Sequence, residues 1–294
     1  MNRLLPIAAL LAALLAILPG PAPAAAPEPV PGPFPALVKR LSDQSLDMDM
    51  VLRVYADERV FFDVSAATGY FGHRESKLDY GSFLSEKRIS EAREYLKEHH
   101  QALKQAQETY GVDPEVIVAV LLVESSLGRY TGKRLVLTTL STLADLARQG
   151  RRDFLWEEAL SRDPELSRED FDSWCDRKSA WAFSELVALF GFCQSQDLDP
   201  LALTGSYAGA LGFSQFMPSS AVKHAADGDR DGTIDLYSHE DAAASIASYL
   251  KNHGYEPLMV KRKLEEVLLT YNKSLPYVHT LIAVRSRLMG LAGR

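Results

Sequence analysis

The chain has 294 residues, 47% hydrophobic and 24% charged, enough for one large or two modest globular domains with a sizeable core. Its formal net charge of −7 argues against nucleic acid or anionic lipid as the main partner. Only Cys175 and Cys193 are present, without metal-type spacing. An amphipathic helical pattern over residues 179–194 keeps them too far apart for a bridge, so free thiols are expected.

Residues 1–26 read as an export signal, with Arg3 as the positive region, an apolar run over residues 7–18, and small residues at Ala22, Ala24 and Ala26. An N-terminal membrane anchor is the alternative, but the run is short of the roughly 20 residues a span needs. No cysteine stands near the cleavage site for a lipid anchor. The expected location is therefore periplasmic or secreted, with no membrane span after signal removal. Residues 27–35 form a proline-rich tether, residues 36–110 an N-terminal helical region, and residues 111–294 the main domain. Apolar spacing predicts helix within residues 36–60. A strongly charged helix is expected over residues 86–110, with Ser85 as its cap.

Asp113 as N-cap and Pro114 at the first helical position predict a helix start. Residues 116–123 carry no polar side chain, which describes a helix buried all round. That helix brings Glu124 to its last turn, before Ser125, Ser126 and Gly128. Burial and the negative end of the helix dipole both disfavour the ionised form, as a general acid near neutral pH requires. A surface glutamate just past a core helix fits this stretch equally well.

Further helices are expected over residues 135–146, from Arg151 onward, and over residues 180–194. Residues 161–178 read as a polar surface excursion, and Asp197-Leu-Asp-Pro200 as a helix stop. Residues 205–220, Gly-Ser-Tyr-Ala-Gly-Ala-Leu-Gly-Phe-Ser-Gln-Phe-Met-Pro-Ser-Ser, interleave glycines with aromatics. Glycines let backbone approach a ligand, and Tyr207, Phe213 and Phe216 could face a sugar ring. Tight packing through small residues explains the same pattern. Asp227, Asp229 and Asp231, then Gly232 and the Thr233 carbonyl, match positions 1, 3, 5, 6 and 7 of an EF-hand loop. Ser238 replaces the glutamate of position 12, and Asp241 is the candidate to close the site. An acidic surface turn is the alternative to Ca²⁺. Helices follow over residues 239–253 and, as a pair split by residues 271–277, over residues 264–294. The fold class is mainly α.

The stretch Val123-Glu-Ser-Ser-Leu-Gly-Arg-Tyr-Thr-Gly-Lys133, the 205–220 motif, the acidic loop of residues 227–241 and Tyr271-Asn272, in this order, resemble the lytic murein transglycosylase B family. The resemblance implies a lysozyme-like catalytic domain with an EF-hand-like calcium loop, preceded by an N-terminal helical extension. Glu124 then matches the single catalytic acid/base. Ser206, Gln215, Tyr271 and Asn272 match the saccharide cleft, to which Tyr207 is added as a substrate-binding candidate for its aromatic face. Asp227, Asp229, Asp231, Thr233 and Asp241 match the structural Ca²⁺ site. No organic cofactor is implied. Peptidoglycan glycan strands are the implied substrate, cleaved at the MurNAc–GlcNAc β-1,4 bond with a 1,6-anhydro-MurNAc end. Other cell-wall enzymes are the candidate protein partners. The chain departs from the family at Leu127, at the serines after Glu124, and in the short stretch before Tyr271. A hydrolytic muramidase, a non-catalytic peptidoglycan-binding protein and a calcium-binding regulator are the rival readings.

Overall fold

A computed structural model describes residues 33–72 and 79–290, which belong to one compact unit. The export signal expected over residues 1–26 lies outside the described residues. The core is built around α6 (Pro114–Ser125), whose residues from Val116 to Leu122 are almost entirely shielded from solvent. Four helices enclose it: α4 (Glu86–Glu98), α5 (His100–Tyr110), α11 (His239–Asn252) and α13 (Leu275–Leu288). Such all-round enclosure is what an unbroken apolar helix requires.

Pro114 opens α6 as expected, but Asp113 does not cap it with its side chain. The carboxylate instead accepts from the Tyr255 hydroxyl (2.7 Å) and pairs with Arg285 (3.1 Å). A guanidinium as enclosed as Arg285 needs a nearby counter-charge, and that demand outweighs a single cap.

A second group of helices packs beside this core. The 29-residue α9 (Arg168–Gln196) meets α7 (Val136–Ala144), α8 (Gln149–Arg162) and α10 (Pro218–His224), while α3 (Val64–Gly72) lies on α7 and α8. Residues 36–60 give two helices, α1 (Pro35–Leu41) and α2 (Met48–Tyr55); Phe34 and Tyr55 meet edge to face in the core. α12 (Lys261–Tyr271) precedes α13. Two-residue strands β1 (Arg134–Leu135) and β2 (Thr204–Gly205) pair antiparallel.

Three local expectations change. The single helix over residues 86–110 breaks at His99, whose ring packs on Tyr95 and His239 with centroids 4.2 and 4.0 Å away. Ser85 sits at the N-cap of α4 without a side-chain cap bond. Residues 168–178 are not a surface excursion but the first turns of α9, capped by Ser167 accepting from the Asp170 amide. Asp197, in the left-handed region, ends α9 at the expected stop. Cys175 and Cys193, both on α9, are free, and burial pushes each thiol up to about 12. Among the described residues no helix is long and apolar enough to cross a membrane.

Candidate active site and acidic loop

The end of α6 is shaped by three consecutive residues with positive φ: Ser126, Leu127 and Gly128. Side-chain and backbone bonds fasten this turn, Ser125 Oγ donating to the Leu121 carbonyl and accepting from the Gly128 amide. Glycine is required at 128, since a Cβ there would stand 2.8 Å from the Phe213 ring. The turn leaves Glu124 half-buried at the wall of a cavity of about 990 Å³.

The cavity gathers residues from four parts of the chain: Asp79, Tyr80 and Phe83; Glu124, Tyr130, Lys133 and Arg134; Ser206, Tyr207 and Gln215; Asn272 and Tyr277. Two of these parts are pressed together by glycine. A Cβ on Gly132 would lie 1.9 Å from the Gly205 carbonyl oxygen, so the β1–β2 contact admits no side chain there.

Ser206 Oγ accepts from the amides of Ala208 (3.2 Å) and Ala210 (3.1 Å), which orients its hydroxyl. Gln215, at φ 51, donates from Nε2 to the carbonyls of Thr131 (3.2 Å) and Gly212 (2.8 Å). Its amide thus stitches the 205–216 loop to the turn after Glu124. Tyr207 is partly exposed, whereas Phe216 is buried and cannot present a face to a ligand. Phe216 packs instead against Tyr249 and Tyr271, with centroids 5.6 and 5.9 Å away. Tyr271 is not among the lining residues. It stands behind the cavity, donating to the Ser214 carbonyl (2.6 Å).

Sequence reasoning missed Tyr277. Its hydroxyl donates to Glu124 Oε1 at 2.6 Å from a fully enclosed position on α13. Burial, with the Glu124 carboxylate beside it, holds the Tyr277 phenol well above its usual range; the same causes, in the same order, act on Tyr271. Both therefore remain phenols at any working pH. Among the described lining residues the other carboxylate is Asp79, whose Oδ1 accepts from the Gly81 amide (3.1 Å).

In the acidic loop the structure brings Asp227, Asp229 and Asp241 together, each offering an oxygen within 4.8 Å of the others. Among the described residues none of the three is paired with lysine or arginine. Asp241 reaches back from the first turn of α11, accepting from the amides of Gly228 and Asp235, both at 2.6 Å. Burial raises its carboxyl above the usual range, and Asp229 and Asp227 add to the rise. Ser238, at the position of the absent glutamate, caps α11 by accepting from the Asp241 amide. Asp231 and Thr233 are bonded to each other: Asp231 Oδ1 accepts from the Thr233 hydroxyl and amide, which hold its carboxyl below the usual range. Three hard oxygen donors without a basic partner fit a divalent cation such as Ca²⁺.

Residues 73–266 match the transglycosylase SLT domain family. Over 219 residues the chain is 30% identical to the membrane-bound lytic murein transglycosylase B of Escherichia coli K12, covering 74% of this chain and 52% of that protein. It thus spans about half the length of that relative. The fold is similar to the E. coli lytic transglycosylase Slt35 in complex with calcium (TM-score 0.64, 19% identity, 88% of this chain and 93% of that one). It is also similar to Pseudomonas aeruginosa SltB1 (TM-score 0.70, 22% identity, 88% and 98%). P. aeruginosa SltB3, solved with NAG-NAM-pentapeptide, matches at TM-score 0.69 and 20% identity, covering 88% and 79%.

Proposed function

We propose a function from one premise: the chain belongs to the transglycosylase SLT domain family. It is a lytic transglycosylase of peptidoglycan, cleaving the MurNAc–GlcNAc β-1,4 bond and leaving 1,6-anhydro-MurNAc ends. The observation that carries this reading is Glu124 at a cavity wall with the Tyr277 phenol on its Oε1.

Glu124, protonated, donates to the departing glycosidic oxygen, and the substrate's acetamido group steadies the developing cation. The resulting carboxylate then takes the proton of the C6 hydroxyl as that oxygen closes on C1. Tyr277 keeps donating through both steps and so holds the side chain in one rotamer. Ser206, Tyr207, Gln215 and Asn272 orient the sugar, and Tyr271 supports the floor behind them. An intramolecular attack replaces a bimolecular one, with the large entropic gain that follows.

A hydrolytic muramidase is the second reading, because Asp79 puts another carboxylate in the same cavity. A glycosidase that uses water needs such a partner. Mass spectrometry of fragments released from purified sacculi separates the two. Anhydro ends are expected; reducing ends alone would overturn the transglycosylase reading.

The acidic loop binds Ca²⁺ through Asp227, Asp229 and Asp241, with Asp231 and the Thr233 carbonyl completing the set. When bound, the ion supplies charge neutralisation to a structural loop. Residues 1–26 direct export, so the working location is periplasmic or secreted. Residues 36–110 then serve as an extension that supplies Asp79, Tyr80 and Phe83 to the cavity, and residues 111–294 as the catalytic domain.

A further inference from the structure

The segment between α11 and α12 breaks three local rules at one place. Leu258 is 88% exposed and Val260 64% exposed, the first and third residues of a short stretch otherwise anchored inward. Leu258 also has φ 62, a left-handed conformation that an ordinary side chain occupies only at some cost. Immediately after them, Lys261, Arg262 and Lys263 form the first turn of α12, where the helix dipole opposes positive charge. Local choices that agree with a fold do not usually conflict in this way, and such conflicts concentrate at functional sites.

The loop is not a frayed end. Tyr255 is buried and bonded to Asp113, and Met259 packs against the core. Leu258 and Val260 are thus held outward from a fixed base, with Lys261, Arg262 and Lys263 exposed beside them. Lys261 and Arg262 reach Glu265 (3.7 Å) and Glu266 (2.8 Å), but both cations are exposed, such surface pairs are weak, and the glutamates lie one turn farther from the tip. Glu256 is the acidic residue of the loop itself.

We propose that this tip, Leu258 and Val260 flanked by Lys261, Arg262 and Lys263, docks the protein peripherally on an anionic phospholipid surface. Two apolar side chains enter the interface while three cations meet lipid phosphates, the pairing that interfacial binding uses. The whole-chain charge of −7 does not describe the tip, where the local sign is reversed. Tyr271, behind the cavity, stands at the opposite end of α12, roughly 16 Å away at 1.5 Å per residue. Docking therefore leaves the cavity open. The proposal is independent of the enzymatic reading.

The test uses the full chain carrying Leu258→Cys labelled with an environment-sensitive nitrobenzoxadiazole probe. Cys175 and Cys193 are buried with raised thiols, so the new cysteine takes the label. With vesicles containing anionic phosphatidylglycerol the probe emission should shift to the blue and brighten. Phosphatidylcholine vesicles, or a probe at the exposed Glu157→Cys, should give no shift. Adding Lys261→Gln, Arg262→Gln and Lys263→Gln should weaken partitioning at least tenfold; the N-terminal leader, common to both chains, drops out of that comparison. Val260→Ser should weaken it less. No shift with either vesicle would overturn the proposal and leave the tip to a protein partner. An unchanged shift in the triple variant would overturn it equally.

Discussion

Glu124 is a carboxylate at the end of α6, whereas the Asp227–Asp229–Asp241 cluster joins two loop carboxylates to one in the first turn of α11, and their surroundings differ in kind. Glu124 receives a phenol that stays protonated, from a helix on the far side of the chain. The aspartates crowd within 4.8 Å and are held by backbone amides such as those of Gly228 and Asp235. A lone carboxylate with a fixed neutral donor can lose and regain a proton without rearrangement. Three carboxylates sharing one volume repel each other until a cation arrives. On the proposed reading, number and partner, not residue type, separate proton traffic from cation binding.

The comparison breaks most sharply at Glu124. Glu124→Gln should retain the fold and lose about a thousandfold or more in sacculus cleavage, since the amide serves neither as acid nor as base. Turnover near the wild-type rate would remove Glu124 from the chemistry.

Tyr277→Phe comes next. Losing a hydrogen bond to a charged group costs roughly 1.5–3 kcal/mol, or about ten- to a hundredfold in rate if it is made in the transition state. The sign of the pH effect is fixed: the phenol favours the carboxylate, so its removal favours the acid form. The alkaline limb of kcat/KM should therefore move to higher pH in the variant. An unmoved limb would mean that Tyr277 only fills space.

For the cluster, saturating Ca²⁺ at 100 times its Kd should add about 2.7 kcal/mol of stability, roughly 5–10 °C in Tm for a domain of this size. Asp229→Ala or Asp241→Ala should abolish that increment and make EDTA without effect. Calorimetric titration showing no binding at millimolar Ca²⁺ would reduce the loop to a solvated turn.

The smallest effect is expected at Asp79. Asp79→Asn keeps a good cap for the turn formed by Tyr80–Leu84. It should change the rate less than about threefold, with anhydro ends unchanged. A large loss would promote Asp79 to the second carboxylate of a hydrolase.

The sequence was most legible where one physical rule dominated. Residues 116–122 admit a single reading once a proline and a cap position precede them, and the core formed around them as that pattern demands. The aspartate spacing likewise brought Asp227 and Asp229 together. Legibility failed where a distant partner decided. Tyr277 sits in register with Val278, Leu281 and Val284 on the inward face of α13, so it reads as core. The available signal was that an inward tyrosine needs a bond for its hydroxyl, which periodicity does not supply. Asp113 reads as a cap until Arg285 arrives from 172 residues away. The start of α9 was missed for another reason: its first turns are polar, and only Ser167 followed by Asp170 marked it.

The Tyr277–Glu124 bond joins residues 153 positions apart, so α13 is made long after α6. Synthesis and folding proceed from the N-terminus, and long-range pairings close late. Glu124 therefore waits in an incomplete setting until α13 docks, where Arg285 on Asp113 and Arg287 on Glu86 fasten it. A nascent or C-terminally clipped chain would carry the acid without its positioning phenol. The order of assembly thus acts as a timer: on the proposed mechanism, the positioned acid is complete once α13 has docked.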